Sequence, residues 1–283
     1  MSGDSANADP VQRLLRTLGT YTGVLVAFSG GVDSALLLAA SVRALPEDRV
    51  LAVTAVSDSL PAAELAIARD FTARLGVRHI EAPTYEMQRE GYRQNGTDRC
   101  YFCKAELLDV VVAHLAQLPA GSRVATGTNA DDVTEGFRPG IRAAAQRGAV
   151  TPLADAGMSK ELVRATARMW DLPVWDKPQS ACLSSRIAYG IPISRSRLAR
   201  VEAAEIAVRA SMAAHGVETV NVRVRDLGNG ARIEVDRELL DLPGEWRQAA
   251  AQAVEATGFA NALIDPRGFR SGSMNDGRSQ PHR

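Results

Sequence analysis

Between residue 10 and about residue 175, short apolar runs alternate with helical stretches, and this alternation leaves few architectures open. VLVAF (24–28), VLAVTAV (50–56), VRHIEA (77–82) and SRVATG (122–127) read as strands, most of them apolar on both faces. SALLLAASVRAL, PAAELAIARDFTARLG and KAELLDVVVAHLAQL read as helices between them, the second with Pro61 at a first-turn position. Strands and helices in alternation build a parallel sheet with right-handed crossovers. The expected fold class is therefore α/β, a doubly wound parallel sheet. Ligands of such a sheet bind beyond the carboxyl ends of its strands.

The pattern then changes. LPVWDKPQSACLSSRIAYGIPISR has three prolines, one glycine and no sustained period, which marks a long loop, and loops of this length are usually functional or disordered. Beyond it come a helix (197–215), TVNVRVRD and ARIEVD joined by LGNG, a helix (245–257) and a strand ending at Ile264. The LGNG turn between two alternating runs signals a hairpin. These boundaries predict a first domain over 1–178, an active-site loop over 179–194, a smaller C-terminal α+β domain over 195–272 and a disordered tail over 273–283.

The first strand runs into AFSGGVDS (27–34) and then an apolar helix. Two adjacent glycines let the backbone turn sharply, and the helix aims its free amides and positive dipole end into that turn, a nest that suits a diphosphate. No Lys follows the glycines, so this is not a Walker loop, and it is not a dinucleotide GxGxxG either. The plain alternative is a strand-to-helix turn with an ordinary cap. SGGVDS resembles the PP-loop of the ATP pyrophosphatase superfamily, whose members cleave ATP between the α and β phosphates. The resemblance implies that Ser29, Gly30, Gly31, Asp33 and Ser34 hold pyrophosphate, with Asp33 suited to Mg2+ or to a helix cap. It also puts residues 54–57 against adenosine and Gly127 on the same sheet edge.

Three cysteines in 283 residues exclude a disulfide-stapled secreted scaffold and leave thiol chemistry, metal binding or burial. Charge is balanced at 33 basic and 33 acidic residues, which gives no overall field toward nucleic acid or an anionic membrane. No apolar run approaches the ~18 residues of a membrane span, and the acidic, polar start is unlike a signal peptide. A soluble cytoplasmic protein is expected, with no membrane or nucleic-acid partner. Arginine is the default cation, since the 33 basic residues include only Lys104, Lys160 and Lys177 as lysines.

RCYFCK places Cys100 and Cys103 at a helix start beside Arg99 and Lys104, a setting that favours thiolates and lets two of them reach one metal or cluster. Cys182 lies in the long loop near Lys177 and Arg186. A redox CxxC pair, half of a structural zinc site and a merely buried Cys182 all compete. Zinc wants four ligands, and none of the four histidines has a spacing that marks it as the fourth. Three thiolates also suit a [4Fe-4S] cluster whose fourth iron stays open.

Together SGGVDS, RCYFCK, FRPG (137–140), SACLSSRIAYG, VRVRD, ARIEV and GFRSGSMN resemble the LarE-type ATP-dependent sulfur transferases of nickel-pincer cofactor biosynthesis, across nearly the whole chain. The resemblance implies ATP-driven adenylation of a carboxylate of pyridinium-3,5-biscarboxylic acid mononucleotide, then displacement of AMP by a sulfur nucleophile. One form of the family has a single cysteine, matching Cys182, which surrenders its own sulfur. The other carries a [4Fe-4S] cluster on three cysteines with an extra sulfide on the open iron, and Cys100, Cys103 and Cys182 match it. A mononucleotide substrate, sulfide or another sulfur donor, and a homo-oligomer are implied with it.

Arg223 and Arg225 share one face of a strand and make a credible phosphate site, the alternative being a solvated face. The resemblance adds Arg270 to them and Lys104 at the substrate, with Glu205 and Glu202 as partners near the sulfur and substrate site, for which an exposed helical face is the alternative. Asp131 and Asp132 follow the fourth strand, where magnesium, substrate or plain solvation would explain them. Trp170, Trp175 and His114 read as packing residues. The rivals are a cluster-bearing tRNA thiolase, against which balanced charge weighs, an amide-forming ligase, which leaves the cysteines unexplained, and a non-catalytic nucleotide or redox sensor.

Overall fold

The computed structural model describes residues 9–134, 139–178 and 181–270. Phe137 and Arg138 of FRPG and the tail over 273–283 lie outside them. The chain forms two compact units, Met1–Glu86 with Cys100–Gln179, and Met87–Arg99 with Ser180–Arg283. Among the described residues no helix is long and apolar enough to cross a membrane.

The first unit is α/β. Its strands are β1 (Val24–Ala27), β2 (Val50–Val56), β3 (His79–Pro83) and β4 (Arg123–Thr126), all parallel, in the order β3-β2-β1-β4. β1 is central and nearly all buried, which explains its unbroken apolar run. Helix Val32–Ala44 leaves β1, and Val32 and every residue from 34 to 41 are buried, so it forms the spine of the core on one sheet face. Leu25, Leu51, Val53 and Val124 face a second apolar cluster with Leu108 and Val111.

The expected strands are present with shifted ends. β3 begins at His79 rather than residue 77 because Gly76, at φ +68°, is still closing helix Ala62–Leu75, with the Val77 amide bonded to the Thr72 carbonyl at 3.1 Å. Pro61 is the cap before that helix. The helix expected from Lys104 starts at Arg99 and runs to Ala113, so both CxxC cysteines lie within it.

The second unit is α+β. β5 (Val222–Asp226) and β6 (Ala231–Val235) form an antiparallel hairpin, and β7 (Ala262–Ile264) lies parallel to β6. The hairpin closes with the Leu227 amide on the Gly230 carbonyl at 2.9 Å, and Gly228 takes φ +90°. Leu198, Val201, Ala204, Val208 and Met212 stripe one side of helix Arg195–Ala214 at helical spacing and are buried. Residues 87–99, far away in sequence, join this unit. Asn95 is one of the ties. Its buried amide group donates to the carbonyls of Ile187, Ala188 and Ile191 at 3.3, 2.9 and 2.9 Å.

Candidate functional site

In the first unit the glycine loop sits where β1 meets its helix. Gly30 has φ +71°, and Gly31 caps helix Val32–Ala44 with extended backbone and no side-chain cap. The first-turn amides therefore face outward without a side-chain acceptor across them, the arrangement that receives an anion. Ser29 and Ser34 line the turn, their hydroxyls 3.1 Å apart, and the Ser34 hydroxyl donates to the Gly31 carbonyl at 3.0 Å.

Gly127, just past β4, packs directly on this turn. A Cβ there would lie 2.7 Å from the Ser34 nitrogen and 3.0 Å from the Asp33 carbonyl carbon. The five expected PP-loop residues and Gly127 thus share one corner of the sheet's carboxyl edge.

Asp33 is held more tightly than its sequence context suggests. One carboxylate oxygen accepts from the Asn129 amide group at 3.0 Å, and the other is paired with the Lys160 ammonium. The Lys160 backbone amide in turn donates to Asp131 at 2.8 Å, while Asp132 and Asn129 cap each other's amides at 3.2 and 3.0 Å. A magnesium ion on Asp33 would have to share the carboxylate with Asn129 and Lys160 or displace one of them. Asp131 and Asp132 organise the turn after β4, an ordering role beyond simple solvation.

Thr54, expected against adenosine, is buried and spends its hydroxyl on the Phe28 carbonyl at 2.9 Å and His79 Nε2 at 2.7 Å. Ser57 is half-buried and reaches Ser59 at 2.9 Å. Burial drives the His79 pKa below its ordinary value, which favours the neutral ring between Thr54 and Thr72.

Cys100 is exposed and Cys103 half-buried, and neither is in a disulfide. Burial lowers the Lys104 pKa, with the adjacent Cys103 opposing the shift. Arg99 spends its hydrogen bonds elsewhere. Its buried guanidinium donates to Asn95 Oδ1 at 2.5 Å and to the Ser184 carbonyl at 2.9 Å, within the second unit. His114 stands at a helix end, hydrogen bonded to Gln117 at 3.0 Å, and Trp170 and Trp175 lie under Arg43 and Arg168.

In the second unit Cys182 is likewise in no disulfide and half-buried, and it caps a short 3-10 turn, Leu183–Arg186. Arg186 is buried and donates to the Ala181 carbonyl at 2.5 Å and the Cys182 carbonyl at 3.0 Å. Glu205 grips the same guanidinium at 2.9 and 3.4 Å and accepts the Val224 amide at 3.1 Å. Glu205 thus fixes the cysteine loop through Arg186.

The VRVRD face is not solvated, because every residue of β5 is buried. Arg225 is paired with the fully buried Glu234 at 2.7 and 3.0 Å and donates to the Ser185 carbonyl at 3.1 Å. Arg223 lies opposite Glu234 in the register and over the ring of Phe269, 5.4 Å from its centroid, beside half-buried Arg270. Burial first, then the charges of Arg186 and Arg225, push its pKa down to about 10, with Glu205 opposing. It keeps its proton at neutral pH, but its charge is costly and would be relieved by an anion.

Lys160, Asn129, Lys177 and Asn95 carry much of this geometry, and only the scarcity of lysine hinted at two of them. Among the described residues no group of three or more His, Cys, Asp or Glu side chains is gathered to hold a metal ion. The three cysteines belong to different units, Cys100 and Cys103 to the first and Cys182 to the second.

No protein-family model matches the chain. Curated relatives do. An uncharacterized protein of Synechocystis is 38% identical over 94% of this chain and 96% of its own length. An uncharacterized protein of Methanocaldococcus jannaschii is 26% identical over 88% of this chain and 91% of its own. The pyridinium-3,5-bisthiocarboxylic acid mononucleotide synthase of Lactiplantibacillus plantarum is 30% identical over 93% of this chain and 92% of its own. With that identity across both units, the chain belongs to the LarE-type sulfur transferase family.

Proposed function

We propose that this protein is an ATP-dependent sulfur transferase acting on pyridinium-3,5-biscarboxylic acid mononucleotide in nickel-pincer cofactor biosynthesis. The observation that carries the reading is the full-length similarity to the mononucleotide synthase. The open glycine loop supports it, since it offers amides and the Ser29 and Ser34 hydroxyls to a diphosphate.

In the first step a carboxylate oxygen of the substrate attacks the α-phosphorus of ATP, and the α–β bridging bond breaks. The products are an acyl adenylate and pyrophosphate. Residues 29–34 hold the departing pyrophosphate, and Lys160 supplies a cation beside it once freed from Asp33, whose carboxylate can then take Mg2+. In the second step a sulfur nucleophile attacks the acyl carbon and the bond to AMP breaks, leaving a thiocarboxylate. Arg223 and Arg270 hold a phosphate of the substrate, with Arg225 committed to Glu234 and the Ser185 carbonyl, and the depressed Arg223 pKa is consistent with a site waiting for an anion. Glu205 and Arg186 fix the Cys182 loop, and Lys104 stands beside Cys103.

Three cysteines outside disulfides, each at least partly exposed, suit thiolate ligation. Cys100, Cys103 and Cys182 would hold a [4Fe-4S] cluster, which would supply the transferred sulfide from its open iron. The active form is a homo-oligomer.

The test is anaerobic purification followed by iron, acid-labile sulfide and visible-spectrum measurements on wild type and Cys100→Ala, with pyrophosphate release measured against the mononucleotide. Iron with at least as much acid-labile sulfide, the excess being the sulfide on the open iron, is expected, and both are lost in the variant together with multiple turnover. An iron-free wild type, or a Cys100→Ala protein with full cluster and turnover, refutes the three-thiolate reading. Loss of the mass of H2S from Cys182 during turnover would assign the sacrificial route instead.

A further inference from the structure

Lys177 is one of only three lysines, and its ammonium reaches the glycine loop from behind. It donates to the Gly30 carbonyl at 3.0 Å and to Glu64 Oε2 at 2.6 Å, with both side chains largely buried at 14% and 16% exposure. Its backbone is fixed independently. Arg164 donates to the Trp175 and Lys177 carbonyls, both at 2.8 Å, and the Lys177 amide bonds to the Val174 carbonyl at 3.2 Å.

This contact acts on the most easily rotated peptide of the loop. A trans peptide directs its C=O and the following N–H to opposite sides, so holding the Gly30 carbonyl from behind aims the Gly31 N–H at the front. That N–H donates to the Ser29 hydroxyl at 3.4 Å, one of the two hydroxyls that line the turn. Between two glycines the peptide can flip at little steric cost, because neither flanking residue has a Cβ to forbid the rotated state. A flip would present a carbonyl oxygen to the diphosphate.

We infer that Lys177 is a positioning residue that locks the Gly30–Gly31 peptide with its amide toward the pyrophosphate of ATP, while Glu64 neutralises its charge. The inference rests on the nucleotide reading above. Lys177 itself stays behind the loop and touches no phosphate, unlike the lysine of a Walker loop.

A double-mutant cycle tests it by calorimetry with α,β-methylene-ATP. Lys177→Met should weaken binding about ten-fold, the scale of one pinned hydrogen bond lost. Flipping swings φ of residue 31 from −82° into the left-handed region, which alanine resists. In a Gly31→Ala background the same Lys177→Met change should therefore cost less than about two-fold. Equal losses in both backgrounds, or no loss in either, overturn the inference.

Where Gly31→Ala alone prevents binding, nitrogen-15 relaxation dispersion at the Gly31 amide of the ATP-free protein decides. Exchange present in Lys177→Met and absent from wild type supports the lock; identical behaviour overturns it. A wild type that does not bind the analogue refutes the nucleotide reading, and the dispersion measurement still tests the lock alone.

Discussion

Gly127→Ala adds a single methyl group at the tightest point of the first unit. The new Cβ would stand 2.7 Å from the Ser34 nitrogen and 3.0 Å from both the Asp33 carbonyl carbon and the Ser34 Cα, whereas ordinary contact begins at 3.4 Å. All three are backbone atoms at the start of helix Val32–Ala44, so no side chain can swing aside. The end of β4 and the helix start must separate by about 0.7 Å. Overpacking of this kind costs about 1–3 kcal/mol. For a unit of this size each kcal/mol lowers Tm by roughly 2–4 °C.

Gly19→Ala is the matched control, because its Cβ would meet nothing nearer than the Ala44 carbonyl at 3.9 Å. Scanning calorimetry of wild type and both variants reads the stability effect, and titration with α,β-methylene-ATP reads the displaced loop. Gly127→Ala should unfold several degrees below Gly19→Ala and bind the analogue more weakly. Equal unfolding temperatures with unchanged binding would refute the close approach of β4 to the glycine loop.

Three further outcomes follow from burial. Glu234→Ala strips the carboxylate from buried Arg225 and from Arg232, and breaking such a pair should cost about 3–5 kcal/mol in urea denaturation; a loss below about 1 kcal/mol would contradict the buried pair. Asn95 has φ +55° and serves three carbonyls, so Asn95→Ala should destabilise more than Asn95→Gly by about 1 kcal/mol, because only glycine takes that φ without strain. His79 has a folded pKa below its ordinary 6.5, so its contribution is complete above that value and is lost as pH falls through the folded pKa. The urea midpoint should therefore drop more between about pH 7.5 and pH 5.5 in wild type than in His79→Gln; equal drops would show that His79 titrates freely.

The architecture of the first unit was legible because periodicity reports burial directly. An unbroken short apolar run such as VLVAF, rich in β-branched residues and followed closely by two glycines, reads as a strand covered on both faces, and the adjacent glycines mark the turn that follows it. The β5–β6 hairpin was legible for the same reason, since LGNG closes it locally. Strand ends were less so. Where helix Ala62–Leu75 releases the chain depends on the bond between Val77 and Thr72, which composition does not reveal.

The sequence by itself determined the local chemistry: a glycine turn before a buried helix, two thiols at a helix start, and two arginines on one strand face. Tertiary structure decided which charges meet. Asp33 and Lys160 lie 127 residues apart, and Gly30 and Lys177 147 apart. Arg225 is committed to Glu234 on the neighbouring strand, Arg99 donates to the Ser184 carbonyl, and Asn95 helps to tie residues 87–99 into the second unit. The reason is physical. A backbone pattern repeats over a few residues and can be read along the chain, whereas a buried charge takes whichever partner the fold brings to it, at any separation in sequence.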